Sequence, residues 1–200
     1  MRKHTGMNTC QRLAERLHQF GLTTRESADR AIASAADWPE LPPKRLARDL
    51  ISVTVLCEAV VQAHSEDVDF AEYGYRGIFR EAQRLAGGAV TVTEVDLVGE
   101  PEEGRDLRFK VNGVAKCWDI QQESDDYLDL GAIETSIQDL APGGDDPRVF
   151  HRLVSPHRYD DDHYLLATTE QAAALRSEFD LRIEVCGPDG LLLPGSRIED

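Results

Sequence analysis

Three histidines and three aspartates lie close together in residues 151–163 and could bind a metal ion. The histidines recur every six residues, and the run Asp160-Asp161-Asp162 directly precedes the last of them. Imidazole nitrogens and carboxylate oxygens are ligands of Zn²⁺ and of non-haem iron. One hypothesis is therefore a metal-assisted hydrolase that uses this segment. Its candidate ligands are His151, His157, Asp161 and His163.

Other features of the same segment favour a loop without metal or cofactor. Pro156 lies between the first two histidines, and adjacent aspartates in a loop usually point into water. The stretch Arg158–His163 resembles the Arg-x4-His motif of helical HEPN ribonucleases, which implies an Arg and a His at a scissile phosphate. In that family the motif lies on a helix, and here three aspartates beside it would repel RNA. We expect no cofactor.

A long run without basic residues is the second chemical feature. The 31 positions between Lys116 and Arg148 carry nine acids and also include Trp118 and Tyr127. Uncompensated carboxylates speed encounter with a cationic protein, and aromatic side chains among them supply contact area. The segment is also compatible with a solvated face that maintains solubility. The candidate partner-binding residues are Trp118, Asp119, Glu123, Asp125, Asp126, Tyr127, Asp129 and Glu134.

The net charge of the 200-residue chain restricts its partners. The formal charge is −15. Residues 1–88 contain 12 basic and 12 acidic side chains, whereas residues 89–200 contain 10 and 25. Such a chain is repelled by a phosphate backbone and by an anionic membrane surface. We therefore expect a basic protein partner, with no direct binding of nucleic acid or membrane.

Motifs of common enzymes and of secreted proteins do not occur in the sequence. It contains no phosphate-binding glycine loop, no G-x-S-x-G elbow and no H-E-x-x-H motif. The four cysteines lack zinc spacing, which favours free and mostly buried thiols. The longest apolar run, Val53–Val61, is too short for a membrane span, and no apolar signal-peptide region follows Met1. We expect a soluble, cytoplasmic protein that is not an enzyme.

Hydrophobic periodicity predicts two regions that meet at Gly87-Gly88. In residues 1–88, apolar residues recur at helical spacing and predict a layer of about four helices. The third helix is expected to run through Val60 and Val61, and the fourth over residues 70–85. Residues 89–200 form the acidic α+β region, and the two regions are compatible with one compact unit.

The acidic region predicts an antiparallel sheet with two helices. Alternating apolar residues on either side of Asn112-Gly113 predict a β-hairpin, because both turn positions need positive φ. Asp126 is expected to cap one helix, and Thr168 with Gln171 forms a capping box for the other. The predicted class is α+β, with the helical layer first and the antiparallel sheet after it.

Part of the acidic region resembles a known family. Phe109–Gly113, Trp118–Ile120, the stretch Tyr127–Leu140 and Leu165–Gln171 are similar to the hairpin–helix unit of immunity proteins from bacterial polymorphic and contact-dependent toxin systems. The resemblance covers residues 107–180. It implies a cytoplasmic inhibitor that blocks a toxin domain and has no chemistry of its own. A regulatory or scaffold module that binds through its helical half is the remaining alternative.

Overall fold

The computed structural model describes residues 7–39, 43–65, 70–100, 103–121, 124, 126–155 and 161–198. These residues form an α+β protein, which confirms the predicted class. The helices are α1 (Thr9–Gln19), α2 (Arg25–Ser34), α3 (Pro43–Leu56), α4 (Ala71–Leu85), α5 (Leu130–Ser136) and α6 (Thr169–Phe179), with a 3-10 helix at Ile137–Leu140. The strands are β1 (Val60–His64), β2 (Val92–Val98), β3 (Arg105–Val111), β4 (Val114–Ile120), β5 (Val149–Leu153), β6 (Asp161–Ala167) and β7 (Ile183–Glu184).

The strands form two antiparallel sheets. One has the order β1-β6-β5-β7 and the other the order β2-β3-β4. The predicted hairpin is confirmed, since Val111 pairs with Val114 across a turn in which Asn112 and Gly113 both have positive φ. The predicted capping box at the start of α6 is also confirmed, with Thr168 accepting from the backbone of Gln171.

The first strand corrects the predicted third helix. Helix α3 ends at Leu56, and Glu58 then adopts a φ of 53°, in the left-handed region. The chain reverses there, so Val60 and Val61 belong to β1, where they pair with Leu165 and Tyr164 of β6. The mainly helical first region therefore contributes an edge strand to a sheet of the second region.

The four-stranded sheet has a hydrophobic core on each face. One core joins it to α1, α2, α3 and α6, and includes Leu17, Leu50, Leu165 and Leu175. The other joins it to α4, α5 and the inner face of the three-stranded sheet, and includes Tyr75, Phe109 and Tyr164. Alternate residues of β5 and β6 enter opposite cores, because successive side chains of a strand point to opposite faces. This alternation decides where the histidines and aspartates of β5 and β6 lie.

The four cysteines are free thiols, as predicted. They are less uniformly buried than we expected, since Cys10 and Cys57 are buried, Cys186 is half-buried and Cys117 is exposed. Within the described ranges, no helix combines the length and the apolar character needed to cross a membrane.

Candidate functional site

The acids of residues 117–147 divide into paired and unpaired groups. Three of them form ion pairs with cations at or next to strands β4 and β5, and they compensate part of the charge that the sequence suggested was unopposed. The pairs are Glu134–Arg152 at 3.0 Å, Asp139–Lys116 at 2.6 Å and Asp146–Arg148 at 2.6 Å. The Arg148 guanidinium beside Asp146 lowers the pKa of that carboxyl. These three acids stabilise the fold locally. Glu134 can therefore contact a partner, as expected from the sequence, only when its ion pair with Arg152 is broken.

Trp118 is a core residue, which corrects its expected role as a partner anchor. It is 1% exposed and packs edge-to-face against Phe79 and Phe109, with ring centroids 5.4 Å and 5.2 Å away. Its indole Nε1 donates a 3.0 Å hydrogen bond to Asp139. A buried Trp needs such an acceptor for its N–H group. Because β4 turns Trp118 inward, its neighbour Asp119 faces outward.

Asp129, and not Asp126, caps helix α5. One carboxylate oxygen of Asp129 accepts from the backbone N–H of Ala132 at 2.9 Å, and the other accepts from that of Gln121 at 2.7 Å. Both oxygens are thus used within the chain, so Asp129 positions the segment before α5 and is not a free docking group. Asp126 remains exposed. Glu123 and Asp125 lie outside the described residues.

Exposed aromatic side chains lie next to this segment, at the start of α4. Phe70 is 59% exposed and Tyr73 is 66% exposed, and their rings meet edge-to-face with centroids 5.7 Å apart. Neither residue is among those that the sequence predicted for a binding site. The sequence does contain an indication of an exposed ring, because Tyr73 lies off the stripe of α4 that carries Ala71 and Tyr75 into the core. A tyrosine on the outer face of an amphipathic helix is exposed and is a candidate contact residue for a partner.

Residues 127–129 are packed against this end of α4. The backbone N–H of Leu128 donates to Ser65 at 2.8 Å, and that of Asp129 donates to the phenol of Tyr75 at 3.0 Å. The side chain of Leu128 lies directly over Gly74. Tyr127, which is 45% exposed, directly precedes these two packed residues in the chain.

We call this part of the molecule the aromatic–acidic surface. Its acids are exposed, and Asp119 is joined to it through Gln121, whose side chain donates to Asp119 and whose backbone donates to Asp129. Next to the aromatic pair lies a cleft of about 280 Å³, which Leu97 and Arg105 also line. The surface consists of Phe70, Tyr73, Asp119, Asp126 and Tyr127.

His151 is a structural residue, which corrects its place among the candidate metal ligands. Its Nδ1 accepts from the backbone N–H of Cys186 at 3.0 Å, so Nε2 carries the proton and donates to the carbonyl of Ala167 at 3.1 Å. Burial lowers the pKa of His151 to about 4, which keeps the ring neutral. With both nitrogens occupied, His151 has no lone pair left for a metal.

At the start of β6, Asp162 lies on one face of the sheet, whereas the candidate ligands Asp161 and His163 lie on the other. Asp162 faces the α4 side, where it pairs with Arg152 at 3.0 Å and accepts from the phenol of Tyr164 at 3.2 Å. Asp161 and His163 face the α3 side. Within the described part of the chain, no group of three or more metal-ligating side chains occurs. His157 and Asp160 lie outside the described residues.

Asp161 and His163 instead line a cavity of about 780 Å³ between α3 and strands β1 and β6. In the register of the two strands, His64 lies opposite Asp161 and Gln62 opposite His163. His64 Nδ1 is hydrogen-bonded to Asp161. The rest of the lining is provided by Trp38, Ser155 and residues of α3, namely Arg48, Asp49, Ile51, Ser52, Val55 and Leu56.

No protein-family model matches the sequence, and neither a curated protein nor a solved structure matches the chain.

Proposed function

We propose that this chain is a non-enzymatic binding protein whose aromatic–acidic surface docks onto a basic protein. The observation that carries the proposal is the exposed Phe70–Tyr73 pair; Tyr127 is a further exposed ring, next in the chain to Leu128, which packs on the same helix at Gly74. Aromatic residues are enriched at the centres of protein interfaces, because each ring buries a large area with few rotatable bonds. Exposed aromatic rings that contact each other on the surface of a fold are typical of an interaction site.

Charge determines the sign of the partner. The surface carries Asp119 and Asp126, on a chain with a net charge of −15. A cationic protein is attracted to such a potential before contact, whereas nucleic acid and anionic proteins are repelled. In this mechanism the acids raise the association rate, and the aromatic rings provide the short-range contact that slows dissociation.

The kind of partner that fits these features best is a basic toxin domain, as the resemblance to immunity proteins implies. A toxin that acts on nucleic acid needs a positive surface to bind phosphates. An acidic protein that occupies this surface blocks access to the substrate without any chemistry of its own. The four free thiols fit a reducing compartment, and we place this inhibition in the cytoplasm.

The charge mechanism is tested with two double variants that change net charge by the same amount. Asp119→Lys with Asp126→Lys alters the aromatic–acidic surface. Asp37→Lys with Asp145→Lys is the control, since both residues are exposed. Asp145 also lies away from the aromatic–acidic surface, because its neighbour Arg148 contacts the carbonyl of Leu85 at the opposite end of α4. The 15 residues of α4 span roughly 20 Å, at about 1.5 Å per residue.

The partner for this test is the product of the reading frame beside the gene, because an inhibitor and its toxin are expected to be encoded together. We expect the surface variant to slow association roughly tenfold or more at low salt, and the control to have a much smaller effect. The difference should shrink as salt screens the charges. Equal effects of the two variants, or a neighbouring product that neither binds nor is inhibited, would overturn the proposal.

The aromatic contribution is tested separately. Tyr73→Ala and Phe70→Ala should each weaken the complex by about 2 kcal/mol if these rings are its anchors, mainly through faster dissociation. Leu191→Ala is the matched control, because Leu191 is an equally exposed apolar residue near the chain's end. Titration calorimetry of the three variants distinguishes a localised interface from a general effect of apolar area.

A further inference from the structure

The two outer strands of the three-stranded sheet differ in how their free backbone groups are used. At β2, the N–H of Val92 donates to the side chain of Gln83 at 2.8 Å, and the carbonyl of Val95 accepts from Arg76. Both partners belong to α4, and a register shift interrupts the pairing of β2 with β3. Covered and bulged edges resist pairing with a further strand. The β2 edge is therefore protected.

The pairing register of the opposite outer strand, β4, shows which of its backbone groups point away from the sheet. Val114 pairs with Val111 directly beside the two-residue turn, and such a pair is hydrogen-bonded. Pairs along an antiparallel ladder alternate, so every second residue of β4 turns its N–H and carbonyl groups to the free edge. These residues are Ala115, Cys117 and Asp119. The N–H of Gln121 continues the same alternation and donates outward to Asp129.

The β4 edge has no cover of the kind that protects β2. In the part of the chain that the structure describes, no other element hydrogen-bonds to the backbone of Ala115, Cys117 or Asp119. All three residues are exposed. Strand β4 is seven residues long, contains no proline and pairs with β3 without a register shift. Such a row of unpaired N–H and carbonyl groups is a template for a further strand.

The charges on the outer face of this edge favour a basic strand. Asp119 lies directly opposite Asp106 on β3. Arg108 compensates Asp106 at 2.6 Å. Among the described side chains, Asp119 accepts only from the neutral amide of Gln121. Like charges directly opposite each other destabilise a sheet, so a cation on an added strand beside Asp119 would relieve this repulsion.

We propose that an extended segment of the basic partner adds to β4 as a fourth strand of this sheet, with a Lys or Arg beside Asp119. Strand addition rests on the proposed docking function, since it needs the same basic partner. Asp119 belongs both to β4 and to the aromatic–acidic surface, so the added strand continues that surface. A second copy of this chain is a poorer occupant, because both copies carry a net charge of −15 and repel each other.

Amide hydrogen exchange, resolved by residue on the full chain, tests strand addition directly. The partner is again the product of the neighbouring reading frame. In the free protein, the amides of Lys116 and Trp118 should exchange slowly because they bond to β3, whereas those of Ala115 and Cys117 should exchange fast. In the complex, exchange at Ala115 and Cys117 should slow by at least about tenfold, since the added strand accepts from these N–H groups.

A proline variant tests the same backbone group by affinity. Cys117→Pro removes an N–H that faces the free edge and leaves the β3–β4 ladder intact, because edge strands tolerate proline at such positions. We expect it to weaken the complex by at least about tenfold, the effect of one lost hydrogen bond and a misplaced strand. Cys117→Val is the matched control, which keeps the N–H and should bind as the wild type does. Melting temperatures show whether both variants are folded.

The results distinguish a failure of strand addition from a failure of the docking function. If the neighbouring product does not bind the wild type, the docking function fails and strand addition fails with it. If it binds while the amides of Ala115 and Cys117 stay fast, or if folded Cys117→Pro binds as tightly as Cys117→Val, strand addition alone is overturned. Protection of these amides in the chain by itself, rising with its concentration, would assign the edge to a second copy and also overturn the proposal.

Discussion

The phenol of Tyr75 accepts a 3.0 Å hydrogen bond from the backbone N–H of Asp129. Tyr75 is fully buried in α4, whereas Asp129 ends the turn that carries Asp126 and Tyr127. Burial raises the pKa of Tyr75, so its hydroxyl remains protonated. This bond fixes the turn to the same helix that displays Phe70 and Tyr73, and it thereby determines how the aromatic–acidic surface is assembled.

Removing the Tyr75 hydroxyl should loosen that surface. Tyr75→Phe leaves the N–H of Asp129 without its acceptor and should lower the free energy of unfolding by about 1–2 kcal/mol. Urea denaturation measures this change. Tyr73→Phe is the control, since the Tyr73 side chain is exposed and its loss of a hydroxyl should change stability by less than about 0.5 kcal/mol. Equal stabilities of the two variants would show that the Tyr75–Asp129 bond contributes nothing.

Two glycines of α4 should respond oppositely to the same substitution. A Cβ at Gly74 would lie 2.8 Å from Cδ2 of Leu128, whereas nothing lies within 4 Å of one at Gly77. Gly77→Ala should stabilise the protein by up to about 1 kcal/mol through helix propensity. Gly74→Ala gains the same propensity but forces Leu128 aside, at a cost of about 1–3 kcal/mol.

Thermal unfolding of both glycine variants tests this difference, with the wild type as reference. Gly74→Ala should melt below Gly77→Ala, and it should also weaken any complex that uses Tyr127, because Tyr127 follows the displacement of Leu128. A Gly74→Ala protein as stable as Gly77→Ala would mean that the segment before α5 moves aside without any loss of stability.

The sequence correctly predicted the elements that depend on interactions between neighbouring residues. The Asn112-Gly113 turn and the Thr168 capping box are examples, because both depend on a few neighbouring residues. Strand β1 was wrongly predicted as helix, since Val60 and Val61 continue the apolar pattern of α3 and a short apolar run is ambiguous between the two states. Its pairing with β6, about 100 residues later, is a tertiary interaction that no local pattern contains.

In the candidate site too, local features were predicted and tertiary contacts were not. Tyr127, Asp119 and Asp126 are exposed as a docking role requires, but charge counting along the chain missed the pairing of Glu134 with Arg152. These two residues belong to different elements, α5 and β5, and only the tertiary fold brings them together. The inward position of Trp118 follows from the alternation of β4, in which Ile120 also points into the core.

Acid should destabilise the protein partly through His151. Its pKa is about 4 in the folded state and about 6.5 in an unfolded chain, so between these values the unfolded state binds a proton that the folded state does not. Stability from this group is complete above pH 6.5 and is lost as the pH falls towards 4, at up to about 1.4 kcal/mol per pH unit. Burial lowers the pKa of His163 too, and it acts in the same direction.

The His151 contribution is isolated by comparison with His151→Gln, which keeps an acceptor and a donor but does not titrate. Urea denaturation between pH 4 and 7 should show a smaller loss of stability for this variant than for the wild type. If the wild type and His151→Gln have parallel profiles, His151 is not held neutral by the fold.

Arg152 should be the most costly ion-pair residue to remove. Its guanidinium lies 3.0 Å from Glu134, 3.0 Å from Asp162 and 4.0 Å from Glu184, and so connects α5, β6 and β7. Asp162 is buried, and Arg152→Met would leave its carboxylate without a cation. Breaking a buried ion pair costs about 3–5 kcal/mol of stability. Because Arg152 itself is only half-buried, we expect the free energy of unfolding to fall by an amount near the lower end of that range.

A double-mutant cycle distinguishes the cost of leaving the buried carboxylate of Asp162 unpaired from the cost of lost packing. Adding Asp162→Asn to Arg152→Met should recover part of the stability, because Asn keeps an acceptor for the phenol of Tyr164 without a negative charge. The exposed pair Arg30–Glu58, at 2.6 Å, provides the control, and Arg30→Met should cost less than about 1 kcal/mol. Additive losses in the cycle would assign the effect of Arg152→Met to the packing of its aliphatic stem and not to the buried carboxylate.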